Sequence, residues 1–186
     1  MALKVQQTGF SGLLVLEPDV YGDNRGYFCE TLNLSWPGVE FPHFVQDNES
    51  LSQYGVVRGL HFQKGDWAQA KLVGVALGEV MDVVVDLRPG EPTFGKHFSI
   101  KLSDQNHKRL LIPRGFAHGF AVLSPKALFQ YKCDNYYNPS AEDGLAWDDP
   151  ALAIDWGLPA EEVILSQKDR NHQTIKEYII SNGIGG

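Results

Sequence analysis

The side chains best suited to chemistry gather in three short runs: Gln46-Asp47-Asn48, Arg58-Gly59-Leu60-His61-Phe62-Gln63 and Gln69-Ala70-Lys71. Polar side chains there interrupt segments that otherwise look like barrel strands, and a buried polar group costs free energy unless it is paired. His61 is the natural general base, because an imidazole titrates close to neutrality. A lone strand histidine is as a rule structural, so His61 gains meaning only from its company. Lys71 shares strand parity with Val73 and Val75, which puts an ammonium on an apolar face. Gln46 and Asn48 share parity as well and can face one cavity together. Arg58 and His61 have opposite parity on a regular strand. They reach one pocket only if the strand bends or bulges, for which Gly59 is suited.

Further candidates lie downstream. Pro113-Arg114-Gly115-Phe116-Ala117-His118 has the P-x-G-x-x-H spacing of the second motif of the cupin jelly roll and reads as a turn delivering His118 into a barrel. The first cupin motif would fall at His61-Phe62-Gln63, with Gln63 where a second ligating histidine belongs. Two histidines alone make a poor site for Zn²⁺ or Fe²⁺, which take three or more protein ligands, so no metal is expected. Tyr131 shares a face with Phe129 and Cys133, and is either a core phenol or a proton donor into a cavity. Tyr136 and Tyr137 either stack on a base or cover the barrel mouth. Lys168 and Asp169 read alone are surface charges, but Asp169 is also the kind of acid that orients a histidine.

The elements that must position these groups are strands. Residues 79–87 alternate, with Met81, Val83, Val85 and Leu87 on one face and Asp82 and Asp86 on the other. Residues 71–77 precede them, and the Gly78-Glu79 reversal predicts a hairpin between the two. Further strands are expected over 13–16, 26–31, 56–63, 97–102, 109–112, 119–123 and 127–134, separated by Pro- and Asn-rich turns. Helix is confined to short pieces near 34–36 and within the last thirty residues. This pattern is that of an all-β jelly-roll barrel or sandwich, and the 186 residues suit one domain over 1–186. Lys and Arg number 16 against 23 Asp and Glu, a formal charge of -7 that speaks against a nucleic-acid or membrane-surface footprint. A small basic pocket remains compatible with that balance. The opening MALKVQQTGF lacks the features of a signal peptide, no apolar run is long enough to span a bilayer, and Cys29 and Cys133 fit reduced strand residues. A soluble cytoplasmic protein is the expectation.

Taken together, the segments resemble the dTDP-4-dehydrorhamnose 3,5-epimerase family. The resemblance is carried in family order by GDNRGYFCE (22–30), FVQDNESLSQYGVVRGLHFQ (44–63), AQAKLV (68–73), GEVMDVVVDLR (78–88), PTFGK (92–96), IPRGFAHGFAVLS (112–124), YKCDNYY (131–137), WDDP (147–150) and LSQKD (165–169). It implies a cupin-type jelly roll, a homodimer, no metal or organic cofactor, and a dTDP-4-keto-6-deoxy sugar as substrate. By the same resemblance His61 would be the base at C3 and C5, Asp169 would hold its imidazole, Tyr131 would donate protons from the opposite ring face, and Lys71 would stabilise the C4 enolate. Gln46, Asp47, Asn48, Arg58, His118 and Lys168 would contact sugar or diphosphate. Tyr137 would stack on thymine and Glu142 would help to bind the nucleotide, while Arg25, Phe28 and Glu30 would enter the pocket of a partner subunit. Leu111 stands where the family often carries Trp, and Gly157 where Pro is common; both concern packing. The rivals are a relative that epimerises one carbon only or isomerises the keto group, a non-catalytic cupin that binds sugar nucleotides or acts as an assembly subunit, and a metal-dependent cupin oxygenase.

Overall fold

A computed structural model describes residues 2–184; Met1, Gly185 and Gly186, the outermost residues of the expected domain, lie outside the described residues. The strands in chain order are β1 (Leu3–Gln7), β2 (Leu14–Pro18), β3 (Val20–Asp23), β4 (Gly26–Cys29), β5 (Gln46–Gln53), β6 (Val57–Gln63), β7 (Lys71–Leu77), β8 (Glu79–Asp86), β9 (His97–Ser103), β10 (Arg109–Ile112), β11 (Phe116–Val122), β12 (Lys126–Cys133) and β13 (Glu142–Gly144). One helix, α1 (Ile175–Ser181), closes the chain on a capping box in which Thr174 and Glu177 satisfy each other's backbone N–H groups. Three single 3-10 turns, Gly65–Trp67, Ala160–Glu162 and Asp169–Asn171, complete the inventory of the described residues. No helix among them is long and apolar enough to cross a membrane.

The strands form a six-stranded sheet, order β1-β2-β10-β7-β12-β5, and a five-stranded sheet, order β13-β6-β11-β8-β9. Every pairing between these strands is antiparallel. The expected jelly roll of the cupin type is therefore present. Its core lies between the sheets, where Val73, Val75, Phe129, Val80, Val84 and Phe120 pack together. Two further apolar layers cover the outer faces. Trp36, Val39 and Leu16 lie on the six-stranded sheet, and Leu145, Leu152, Trp156 and Ile175 lie on the five-stranded one. Central strands are thus buried on both sides, and each large aliphatic or aromatic side chain so buried is worth about 1.5–3 kcal/mol.

Several expectations are corrected. Residues 71–77 and 79–86 are not a hairpin: β7 pairs with β10 and β12, and β8 with β9 and β11, so the chain changes sheet at Gly78. Gly78 at φ +82° has no room for a Cβ, which would meet the Lys126 carbonyl at 2.2 Å. Its N–H is taken by Asp104 and that of Glu79 by Ser124, so neighbouring loops rather than a β7–β8 ladder hold the reversal. Residues 34–36 form a turn, not a helix. Asp82 and Asp86 do lie opposite Val83 and Val85, but that face is the fully buried one between the sheets. His118 sits within β11 rather than on the turn before it. Four strands escape sequence patterning: β1, β3, β5 and β13. In β5 the even-numbered positions from Gln46 to Ser52 line the interior while the odd ones are exposed, so both faces are polar.

Candidate active site

The inner faces of the two sheets enclose a cavity of about 480 Å³. Arg58, His61 and His118 reach it from the five-stranded sheet, Ser50, Lys71, Phe129 and Tyr131 from the six-stranded sheet, and Ser166, Lys168 and Asp169 from the C-terminal segment. A second lobe of about 350 Å³ shares His61, Lys71 and Tyr131 and adds Gln46, Asn48, Tyr137 and Glu142. Imidazole and phenol therefore stand on opposite walls of one chamber.

The parity conflict between Arg58 and His61 is resolved by a bulge. Across β6 and β11, His61 pairs with His118 but Arg58 with Phe120, so three steps on one strand oppose two on the other. Gly59 lies at φ +118° against Gly119, where a Cβ would stand 2.5 Å from the Gly119 Cα, and its peptide to Leu60 is cis. The extra residue turns both side chains into the cavity.

His61 is held by Asp169, its Nε2 lying 2.5 Å from Oδ1. The Asp169 side chain is 5% exposed and that of His61 30%. Burial alone would raise the Asp169 carboxyl. The hydrogen bonds from His61 and from Ser166 Oγ (2.7 Å), with the neighbouring imidazoles, outweigh it and hold the group down at about 2. An ionised carboxylate only accepts hydrogen bonds, so the His61 proton is on Nε2 and the free lone pair on Nδ1. The strap that carries Asp169 is fastened at both ends. The Ile164 carbonyl accepts from Val57 N–H, and the Gln173 carbonyl from Ala146 N–H.

On the facing wall, burial first and the nearby Cys133 second push the Tyr131 phenol above its ordinary value, against Arg58, so the proton stays available to be donated. Lys71 Nζ stands 5.8 Å from the Tyr131 ring centroid and makes no ion pair among the described residues. Burial pushes its ammonium down, opposed by Cys133, Asp82 and Glu142. His118 is buried, donates from Nε2 to Asp82 Oδ2 at 2.9 Å, and stacks on Phe129. In the second lobe Gln46 bonds Asn48 and accepts from Tyr137 N–H, while the Tyr137 hydroxyl donates to Glu142 at 2.5 Å and Lys168 pairs with the same carboxylate. Arg58, Lys71 and Lys168 give this chamber positive charge within a chain of net charge -7.

Four expected site residues are not brought to this chamber. Asp47 points to the outer face and pairs with Lys132. Arg25 (86% exposed, paired with Asp23), Phe28 and Glu30 belong to or follow the β3–β4 hairpin, whose strands, among the described residues, pair only with each other. Sequence reasoning missed Asp82, Ser166 and His172. The signals were there: an acid inside an apolar strand, and polar neighbours three residues either side of Asp169.

Gln63 is fully engaged elsewhere, donating to the Trp67 and Tyr136 carbonyls and accepting from Asn138 N–H. It braces the loop that bears Tyr137. Donor atoms of His61, Asp169 and His172 lie within 4.8 Å of one another, but both Asp169 oxygens are already used by His61 and Ser166. An imidazole bound to a buried carboxylate thus faces a phenol across the chamber, with the Lys71 ammonium on the phenol's wall.

A family model described as dTDP-4-dehydrorhamnose 3,5-epimerase matches residues 7–177. The dTDP-4-dehydrorhamnose 3,5-epimerase of Methanothermobacter thermautotrophicus is 47% identical over 175 residues, 92% of this chain and 94% of that protein. Among solved structures, the dTDP-4-dehydrorhamnose 3,5-epimerase of Elizabethkingia anophelis superposes with a TM-score of 0.88 at 48% identity, covering 95% of this chain and 98% of that one. The dTDP-6-deoxy-D-glucose-3,5-epimerase of Legionella pneumophila, in complex with dTDP-4-keto-L-rhamnose, gives 0.87 at 46% identity over 94% and 93%.

Proposed function

The chain belongs to the dTDP-4-dehydrorhamnose 3,5-epimerase family, and on that premise we propose that it converts dTDP-4-dehydro-6-deoxy-D-glucose to dTDP-4-dehydro-L-rhamnose by inverting C3 and C5. The observation that carries this reading is the pairing of Asp169-held His61 on one wall with Tyr131 on the other, with Lys71 beside the phenol. The C4 ketone acidifies the C–H bonds on both sides of it. His61 Nδ1 takes a proton, the C–H electron pair moves into the ring and onto O4, and Lys71 stabilises that enolate. Tyr131 then gives its proton to the opposite face of the carbon, and solvent resets both groups before the second centre reacts. Preorganised charge at the oxyanion supplies about 10²–10³-fold and each acid–base partner roughly 10²–10⁴-fold.

Arg58, His118, Lys168, Gln46 and Asn48 bind sugar and diphosphate, while Tyr137 and Glu142 meet the nucleoside. Each role has a side chain, and none calls for a metal or organic cofactor. The chain acts as a homodimer in which Arg25, Phe28 and Glu30 complete a neighbouring site. Support for this comes from the β3–β4 arm, which leaves Val20, Tyr21, Tyr27 and Phe28 exposed together.

Proton NMR in deuterated water, with this substrate, purified protein and chelator, tests the reading. Label is expected at both C3 and C5, and His61→Ala is expected to abolish it at both. Exchange at one carbon would make the protein a single-site epimerase, and none would leave it a binding module.

A further inference from the structure

A second imidazole stands at the carboxylate that holds His61. His172 Nε2 lies 3.5 Å from Asp169 Oδ1, the atom His61 approaches at 2.5 Å. The His172 side chain is 7% exposed, its Nε2 has no hydrogen-bond partner among the described residues, and its ring meets that of His61 edge-on at 5.4 Å and 74°. The ring also lies against Gly144, the residue paired with His61 across β13 and β6. A Cβ at Gly144 would fall 2.5–2.6 Å from Cε1, Nδ1 and Nε2 of His172, and the Gly144 backbone is not left-handed. Glycine is needed there for room alone.

Resting on the reading of His61 as the base, we propose that His172 is a positioning residue: wedged between Gly144 and His61, it turns a neutral Nε2–H toward Asp169 and so sets how tightly that carboxylate holds the His61 proton. A carboxylate only accepts, so an Nε2 lone pair aimed at Oδ1 would be repelled, whereas an N–H is attracted. A doubly charged pair of imidazoles is disfavoured. Burial first, then the charge of His61, push His172 below its ordinary value, with Asp169 opposing and Lys168 assisting. The other charged groups nearby are occupied: Glu142 by Lys168 and Tyr137, Asp143 by Lys64 and Gln173. With an N–H drawing on Oδ1, less of the Asp169 charge is felt by His61.

Three variants separate the N–H from the packing. His172→Phe keeps a ring and removes the N–H, Gly144→Ala keeps the imidazole and displaces it, and His172→Gln keeps an N–H. The measurements are the acid limb of the pH profile of kcat/KM for exchange at C3, and the ¹⁵N-imidazole titration of His61 in the free proteins. The Phe and Ala variants are expected to move the limb and the His61 titration to higher pH by about half a unit, roughly threefold in kcat/KM on the acid side. The Gln variant should lie near wild type. An acid limb and a titration that stay in place, or move to lower pH, would overturn the proposal, even if melting temperature falls. The titration alone decides it where a variant is inactive. His61→Ala assayed alongside keeps the two readings apart, since retained exchange there would remove the base and not the His172 geometry.

Discussion

Replacing Asp169 by Asn tests the centre of the proposed mechanism, because it removes one charge and leaves the side chain's shape. The carboxylate is 5% exposed and its Oδ1 lies 2.5 Å from His61 Nε2. Two unit charges about 4 Å apart interact by about 4 kcal/mol at an effective dielectric near 20. That is the upper limit of what Asp169 gives to the imidazolium formed when His61 takes a proton. His61 is partly open to water and the Asn oxygen can still accept the Nε2–H, so about two thirds of that limit is expected, close to 10²-fold in exchange rate. KM should change by less than about threefold, since Asp169 is occupied by His61 and Ser166 rather than by ligand. The assay is deuterium incorporation at C3 and C5 under saturating and limiting substrate. Exchange in Asp169→Asn within about threefold of wild type would refute the argument, and so would a loss confined to KM. The same substitution has a stability signature. With the folded carboxyl at about 2 against an ordinary 3.8, its contribution is present above about pH 4 and is lost as pH falls through 2. Unfolding of the Asn variant should lack that part of the acid slope, on the order of 1–2 kcal/mol between pH 4 and 2.

Tyr131→Phe should lose inversion more than deprotonation, because the base remains; label washed in without change of configuration, seen by NMR, is the expected result, and inversion at wild-type rate would remove the donor assignment. Lys71→Met should lower turnover about 10²–10³-fold. Because burial depresses the Lys71 ammonium from its ordinary 10.5, the alkaline limb of kcat should fall below that pH, and Lys71→Arg should shift it upward; a limb indifferent to that exchange would separate Lys71 from the enolate. Phe129 is fully buried, stacked on Phe120 at 4.1 Å and packed against His118 and Tyr131. Phe129→Ala should cost about 3–5 kcal/mol in chemical denaturation, and activity in the surviving folded fraction should fall with it.

What could be read in advance followed from where local pattern and burial agree. Strands buried on at least one face, such as β7, β8, β10 and β12, announce themselves by apolar runs, and their limits fall within a residue or so of expectation. β5 carries no such mark, because its inward face is the polar wall of the cavity and its outward face meets solvent. The sheet change at Gly78 was illegible for another reason. A glycine reversal looks the same whether the ladder continues or the chain crosses over, and the decision rests with Asp104 and Ser124, distant in sequence. His61, Tyr131, Lys71 and Asp169 could be named from motifs, but their convergence depends on a bulge at Gly59 opposite Gly119 that alternation contradicts.

The proposed acid and base depend on different parts of the molecule. Tyr131 and Lys71 stand on β12 and β7, neighbouring inner strands of the six-stranded sheet. His61 stands on β6, but its partner comes from a strap outside the barrel, latched to Val57 at one end and Ala146 at the other. A strand can place an imidazole, yet it cannot choose which nitrogen bears the proton. That choice needs a buried acceptor on the far side of the ring, and the strap supplies it with Ser166 holding the second oxygen. The apolar layer of Leu145, Leu152, Trp156 and Ile175, against which Leu165 of the strap packs, therefore bears on the proposed base as well as on burial energy, since it holds the strap on the sheet and leaves Nδ1 as the face of His61 that the proposed mechanism uses.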